Sequence, residues 1–397
     1  MRILRIVYDW PQPWSGLAPA PYELTRSQVE LGHPFDIFCG RWLSKPFERL
    51  PGVEFHPFVR EPFPGSIFFT TAPFMFLYYF FWKDKAGVDL IHSHGHFGIW
   101  VYAYRVFLNR FFKNSPELKI PLVVHFHNTF AGRQKKLEDA GQEPKFFSKY
   151  VSWPLGIWSD KLAIKTGAAY IFVSEELKKE AIEYYGADPQ KCFVVESGVD
   201  PKLFVSVNEQ ERHSTKRDMG MDYDDKVILN LGKQVQRKNI HLLIEALEFL
   251  PPYFKLLLVG PSDIKYGIEL DTLISVKRLH NRVVRADETS YPQTPIAYQM
   301  ADIFVLPSSF EGFPKVVLEA LSCGVPALVS GFKAGDDLRG IYYLADLTPQ
   351  TIAQSILNIV SKKEPVDRDV VAVKYSWRVR ALQVEKVYEY VTGQNQK

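Results

Sequence analysis

Two carboxylates eight positions apart, in one loop-and-helix segment, carry the strongest chemical signal in the sequence. The segment reads Ala301-Asp-Ile-Phe-Val-Leu-Pro-Ser-Ser-Phe-Glu-Gly-Phe-Pro-Lys-Val-Val-Leu-Glu-Ala-Leu-Ser-Cys-Gly-Val-Pro326. The apolar run 302–306 is expected to be a buried strand that stops at Pro307, followed by a loop carrying Glu311, Gly312 and Phe313. Pro314 suits a first helical position, and a helix from Lys315 to Cys323 would stop at Gly324. The start of such a helix offers free N–H groups and the positive end of its dipole to an anion. Glu311 in the loop and Glu319 one turn into the helix would repel that anion unless they accept hydrogen bonds from neutral hydroxyls, for which sugar and ribose are the obvious donors. The plainer reading makes Glu319 a solvated helix residue and Glu311 a loop charge.

Other groups invite chemistry less strongly. His92, His94 and His96 alternate on one segment, and His125 and His127 on another. Such His-x-His pairs occur at metal sites, but no acid or lysine follows at hydrolase-like positions, so no metal is expected. Asp222-Tyr-Asp224 is a lone Asp-x-Asp in a polar stretch and is read as solvated. A glycosidase using Glu311 and Glu319 as acid and nucleophile is disfavoured, because both come from one loop–helix unit beside an anion site.

The elements that must position these residues form two series of short apolar runs. The first comprises 3–8, 35–39, 89–92, 121–127, 169–173 and 192–196; the second 226–231, 254–259, 282–285, 302–306, 326–330 and 341–344. Most are continuous rather than alternating, as in parallel strands buried on both faces. Between them, segments such as 174–185 and 239–250 carry apolar residues at helical spacing. The alternation argues for α/β, doubly wound parallel sheets, and twelve strands are too many for one compact sheet. The break falls in 201–225, which is polar, has no apolar period and reads as a linker. Two tandem domains are expected, with ligands bound at the carboxyl ends of their strands, across a cleft.

The 397 residues are 46% hydrophobic and 23% charged, which excludes disorder or coiled coil as a whole-chain answer. Lys plus Arg number 48 against 45 Asp plus Glu, a net charge of +3, too balanced for a dedicated nucleic-acid binder, so no nucleic acid is expected. Three scattered cysteines (Cys39, Cys192, Cys323) form neither a metal spacing nor a disulfide framework and fit a reducing, cytoplasmic compartment. The first apolar run is stopped by Asp9, too early for a signal-peptide core. From Phe63 to Trp82 there are 20 residues without a charge, ten of them aromatic. Pro64, Gly65, Thr70, Thr71 and Pro73 break that stretch, which argues against a membrane span. A buried helix and an aromatic helix lying on a membrane or a lipid-linked acceptor both stay open.

The Glu-x7-Glu string, within Ala-Asp-x-Phe-Val-Leu-Pro-Ser and Glu-Ala-x-x-x-Gly-x-Pro, resembles the retaining family 4 glycosyltransferases of GT-B fold. The likeness runs along nearly the whole chain. Pro13-Trp-Ser-Gly16 is similar to the family's N-terminal glycine loop, with Ser15 at one usual glycine. Leu31-Gly-His33, Asp89-Leu-Ile-His-Ser-His94 and Val124-His-Phe-His127 resemble further family segments, as do Ser174-Glu-Glu-Leu and Glu196-Ser-Gly-Val-Asp200. Leu231-Gly-Lys233 through Arg237-Lys238-Asn239 resembles the family's Gly-Arg…Lys-Gly, and Tyr375-Ser-Trp377 its C-terminal Trp helix, which crosses back onto the first domain.

The resemblance implies a sugar-nucleotide donor, with UDP or GDP left open, transfer with retention and no metal or other cofactor. It implies that His127, Glu311 and Lys238 act at the reacting centre. Gly16, Lys233, Lys238, Arg285, Glu311, Gly312, Phe313, Pro314, Lys315 and Glu319 would bind the donor. Glu319 would take the ribose hydroxyls, Glu311 those of the transferred sugar, Lys233 and Lys238 the diphosphate, and the backbone near Val284–Arg285 would face the base. Lys233 in place of Arg keeps the charge and loses the bidentate fork; Pro314 in place of Gly loses an N–H. A sugar-nucleotide-binding protein without transfer activity and a GT-B epimerase are the alternatives. The domains implied are 1–205 with 375–397, on the acceptor side, and 206–374, on the donor side. A glycan, lipid-linked or small-molecule acceptor and a peripheral place at the inner membrane face complete the expectation, the last suggested by the aromatic stretch and by Arg105, Arg110, Lys113, Arg133, Lys135 and Lys136.

Overall fold

The computed structural model describes residues 1–12, 14, 16–41, 46–59, 68–69, 71–139, 146–286, 289–334 and 337–394. Pro13 and Ser15 of the glycine loop, and Phe63, Pro64, Gly65 and Thr70 of the aromatic stretch, lie outside the described residues. The chain forms two units, Met1–Glu196 with Arg378–Lys397, and Ser197–Trp377.

The first unit is built on β1 (Ile3–Val7), β2 (Phe35–Arg41), β3 (Val53–Val59), β4 (Leu90–His94), β5 (Leu122–Phe126), β6 (Ala169–Phe172) and β7 (Cys192–Val194). They make one sheet in the order β3-β2-β1-β4-β5-β6-β7, parallel throughout. Helices α1 (Pro19–Glu30), α2 (Thr71–Phe81), α3 (Ile99–Phe111), α4 (Phe130–Asp139), α5 (Trp153–Thr166) and α6 (Glu175–Tyr185) lie between the strands. Strands β1, β4, β5 and β6 are buried at every position, which is why their sequences read as apolar runs interrupted only by Arg5, Ser93 and the histidines.

The second unit contains α7 (Glu209–Asp218), β8 (Lys226–Leu231), α8 (Ile240–Ala246), β9 (Phe254–Val259), α9 (Ile264–Val276), β10 (Val283–Ala286), α10 (Pro295–Met300), β11 (Ile303–Pro307), α11 (Lys315–Ser322), β12 (Ala327–Ser330), β13 (Ile341–Tyr343), α12 (Pro349–Lys362) and α13 (Arg368–Lys374). Its sheet runs β10-β9-β8-β11-β12-β13, again all parallel. Ile228, Leu256, Leu258, Ile303 and Val305 of the strands pack with Ile240, Leu243 and Ile244 of α8 and Ile352 and Ile356 of α12 into one core. The last helix, α14 (Trp377–Gln394), lies mainly in the first unit.

Two expectations need correction. The sheet of the first unit has a strand, β3, that the apolar pattern does not reveal. It is an edge strand with Glu54 and His56 in its middle and Pro57 within it, and an edge tolerates a proline that a central ladder would not. The polar segment 201–225 is also no simple linker, since it contains α7. A capping box closes the start of that helix, with Asn208 and Glu211 bonding each other's backbone N–H at 2.9 and 3.2 Å. Charge then docks it: Asp302 takes Arg212 at 2.8 Å and Lys216 at 3.4 Å, so no apolar stripe is needed.

Candidate active site

In the second unit, the site grows from the carboxyl ends of β8 and β11. β8 ends at Leu231 and is followed by Gly232 with φ 126°, a backbone region that L side chains avoid. A Cβ there would stand 2.7 Å from Lys238 Nζ, so glycine is what lets the Lys238 amine lie against the strand end. Lys238 closes a short turn, Gln236–Lys238, and Asn239 follows in the left-handed conformation (φ 49°) at the family's glycine position. Burial pulls the Lys238 ammonium below its usual range, against the pull of Glu311 in the other direction.

The loop after β11 is pinned to this turn. Asn239 Nδ2 donates to Pro307 O at 2.9 Å and to Ser309 Oγ at 3.0 Å, and Ser309 N donates to Arg237 O at 2.8 Å. Arg237 Nη1 reaches Glu311 Oε1 at 2.6 Å and Phe310 O at 2.9 Å, and Ser308 Oγ donates to the same carboxylate oxygen at 2.9 Å. Glu311 is thus aimed before any ligand arrives. Arg237 is the group the sequence reading missed; its place beside Lys238 was visible, its partner 74 residues away was not.

Helix α11 begins at Lys315, so Pro314 is its N-cap residue rather than its first helical residue, and the helix ends at Ser322 with Cys323 as cap. Glu319 is buried at 1% exposure and is not a solvated helix residue. Its Oε2 accepts from the Tyr298 hydroxyl at 2.8 Å and its Oε1 from Lys315 Nζ at 2.9 Å. Lys315 also lies 4.9 Å from the centre of the Tyr291 ring. Phe313 is buried beside Phe332 and Tyr375, with its carbonyl held by Ser197 Oγ at 3.2 Å, which anchors the backbone of Gly312 and Pro314 on either side.

Arg237, Lys238 and Lys315 therefore stand with Glu311 and Glu319, and Lys233 leaves the same strand end. The balance is cationic, as a diphosphate requires. Arg285 at the end of β10 is placed apart from these groups. Its guanidinium pairs with Asp271 and reaches Ser262 Oγ at 2.5 Å and Gln234 Oε1 at 3.2 Å.

In the first unit, Gly16 adopts φ 62° in the turn that leads to α1. His127 follows β5 directly. Because side chains alternate along a strand, His92 and His94 of β4 and His125 and His127 fall on one face, and the register sets His94 beside His125. Their rings stack: His92–His94 and His125–His127 centroids are each 4.6 Å apart, at 8° and 11°. Burial holds all four below the usual imidazole range, His127 at about 4. Ring nitrogens of His92, His94 and His125 come within 4.8 Å of one another, closer than their sequence spacing suggested. The planes of these three rings lie within 24° of one another, and the nearby charge is the Arg5 guanidinium.

The aromatic stretch forms α2, which buries Ala72, Met75 and Tyr79 and exposes Phe74, Leu77, Tyr78, Phe80 and Phe81. Among the described residues no helix is long and apolar enough to cross a membrane. Arg105 is buried, its guanidinium bonded to Ile120 O, and Lys136 is paired with Glu176 and Glu180 at 2.8 Å each, so neither belongs to a free cationic surface.

Two all-parallel sheets on one chain, one ending in this acid-and-cation cluster and the other in a histidine row, define a GT-B architecture. Residues 14–203 match the family model described as Glycosyltransferase Family 4, and residues 211–336 that described as Glycosyl transferases group 1. The chain belongs to the family 4 glycosyltransferases. It is similar to an uncharacterized glycosyltransferase of Methanocaldococcus jannaschii, 25% identical over 98% of both chains. In fold it is similar to sucrose-phosphate synthase from Thermosynechococcus elongatus (TM-score 0.79, 18% identity, covering 99% of this chain and 100% of the other). It is likewise similar to Anabaena HepE in complex with UDP-glucose (TM-score 0.72, 15% identity, covering 98% and 99%).

Proposed function

We propose that this glycosyltransferase moves a sugar from a UDP- or GDP-sugar to a glycan, lipid-linked or small-molecule acceptor with retention at the anomeric carbon. The observation that carries the donor class is the pairing of two preset carboxylates, Glu311 and Glu319, with cations at the same sheet end. Carboxylates accept from sugar and ribose hydroxyls, and the cations take the diphosphate. Glu319 takes the ribose, Glu311 the transferred sugar, and Lys233 and Lys238 the leaving diphosphate, with Arg237 holding Glu311 in aim. The HepE structure holds UDP-glucose, which supports a sugar nucleotide as the class of ligand.

In the reaction, the bond from the anomeric carbon to the diphosphate oxygen breaks, and the acceptor oxygen bonds to that carbon on the same face. The acceptor's proton passes to the departing diphosphate oxygen. Negative charge growing on the diphosphate is met by Lys233 and Lys238, which stabilises the transition state more than the ground state. Fixed cations serve here where other transferases use a divalent ion, so the proposal includes metal independence. The exposed aromatic rings of α2 and the end of α3, with Arg110 and Lys113 beside them, support a peripheral place at a cytoplasmic membrane face.

A thermal-shift screen with nucleoside diphosphates, followed by NMR of the anomeric proton in donor and product, tests the reading. A rise in Tm with UDP or GDP and an unchanged anomeric configuration are expected; inversion would overturn retention. Pro314, which lacks the N–H of the usual glycine, favours one second reading, a binder without transfer. That protein would hold the donor and yield no product with any acceptor.

A further inference from the structure

The His127 ring meets a second ring before it meets any ligand. His94 Nδ1 and His127 Nε2 are 3.0 Å apart, with ring centroids 5.3 Å apart and planes within 13°. A neutral imidazole has one N–H and one lone pair, so one of these nitrogens donates and the other accepts. The surroundings decide which.

His92, stacked on His94, is settled first. Its Nδ1 takes the Tyr388 hydroxyl at 2.5 Å and Arg5 Nη2 at 3.3 Å, and a guanidinium is only ever a donor. His92 therefore carries its proton on Nε2, where it is buried and finds no partner among the described residues. His94 Nε2 is buried and unpartnered as well. If His94 accepted from His127, its own proton would sit on that orphaned Nε2, adding a further stranded N–H beside the Arg5 cation to those already on His92 Nε2 and on His125, whose ring nitrogens are both unpartnered. If His94 donates from Nδ1, the orphan is a bare lone pair, which burial tolerates better than an N–H. The second arrangement costs less.

We propose that His94 is a positioning residue that fixes His127 as the Nδ1–H tautomer, so that His127 presents an N–H donor to an acceptor oxygen of a bound substrate. That the substrate is one of a sugar transfer rests on the function proposed above; the tautomer does not. Burial supports the arrangement by keeping His127 neutral at pH 7. Tyr388 and Arg5, at the far end of the row, fix the tautomer of His92.

Nitrogen-15 NMR of histidine-labelled full-length protein at pH 7 reads the tautomers directly, with the His127 signals assigned by their loss in His127→Asn. The expected result is a protonated Nδ1 and a bare Nε2 on His127. His94→Phe keeps the ring and removes the donor, so the His127 signals should move to a tautomer mixture; His94→Asn, whose amide can replace Nδ1–H, should restore them. With UDP-glucose as the probe, His94→Phe should lower kcat on the order of tenfold with little change in KM, and His94→Asn should recover most of it. A proton on His127 Nε2 in the unmodified protein would overturn the proposal, as would unchanged signals in a folded His94→Phe. Failure of UDP-glucose to bind or react bears on the function above and leaves the NMR result standing.

Discussion

Lys315 and Glu319 are joined at 2.9 Å across one turn of α11, so the carboxylate proposed to receive a ribose is already held by an ammonium. The Tyr298 hydroxyl holds its other oxygen. Donor hydroxyls must share or displace these partners, and that sets how substitutions there read out.

Glu319→Gln keeps an acceptor for Tyr298 and loses the charge that hydroxyls bond most strongly. Nucleotide affinity measured by calorimetry should fall about tenfold, since a charged acceptor contributes roughly 1.5–3 kcal/mol, and Tm should move little because Lys315 can turn to water. Glu319→Ala strands a fully buried Tyr298 hydroxyl and should also lower stability, by about 1–3 kcal/mol. Equal affinity in Glu319→Gln and the unmodified protein would sink the ribose assignment.

Lys233→Ala and Lys238→Met should reduce turnover by roughly 10²-fold while leaving the affinity for the nucleoside alone nearly unchanged, because their charge matters most as the diphosphate departs. Arg237→Met releases Glu311 and should cut turnover without weakening the nucleotide. Steady-state kinetics beside nucleoside titration separate these effects. Full turnover in both lysine variants would move the phosphate site elsewhere.

Activity should survive excess EDTA and gain nothing from manganese. Inactivation by the chelator with recovery on adding manganese would refute the proposed metal independence.

The buried imidazoles predict the sign of the pH dependence of stability. His96 and His127 are each held at about 4 by burial, against an ordinary value of 6.5. Between those values the unfolded chain binds more protons than the folded one, so stability is full above pH 6.5 and is lost as pH falls toward 4. Asp160, pushed up to about 7 by burial, works the other way, binding its proton in the folded state and favouring low pH between its ordinary range and 7. Five histidines held below their ordinary value outweigh one acid, so Tm should fall on acidification from pH 7 to 5. Asp160→Asn should steepen that fall; a Tm that rises on acidification contradicts the assignment.

Phe81, Phe111 and Phe112 are 73, 67 and 52% exposed, beside Arg110 and Lys113. Anionic phosphatidylglycerol vesicles should sediment the protein at low salt, and Phe81→Ser with Phe111→Ser should weaken that roughly tenfold or more. No sedimentation at low salt would point to a soluble acceptor.

Much of this architecture can be read from the sequence because parallel strands buried on both faces leave an unmistakable apolar record, and β1, β5, β8 and β11 all do. β3 leaves none, since an edge strand needs neither continuous apolar residues nor a full ladder. Helix α7 hid for a related reason: it is fastened by Arg212 and Lys216 to Asp302, and its one local sign was the Asn208–Glu211 capping box. At the site, Glu311 and Glu319 stand out by spacing. Arg237, Tyr298 and the His94–His127 bond do not, because each acts through a partner far along the chain, and pairing across a fold has no period.

The buried polar cluster on β1 bears on the order in which the chain can assemble. Arg5 is fully enclosed, with Thr25, Gln28, His92 and Tyr388 as its partners, and Gln28 in turn bonds Glu385 at 2.6 Å. Tyr388 and Glu385 belong to α14, which leaves the ribosome only after the whole of the second unit. Until then the first unit has an open seam over a guanidinium that cannot be sealed in apolar surroundings without it. The half synthesised first is therefore the half completed last: the second unit can close on its own during translation, while the nascent first unit must wait for residues almost four hundred positions downstream.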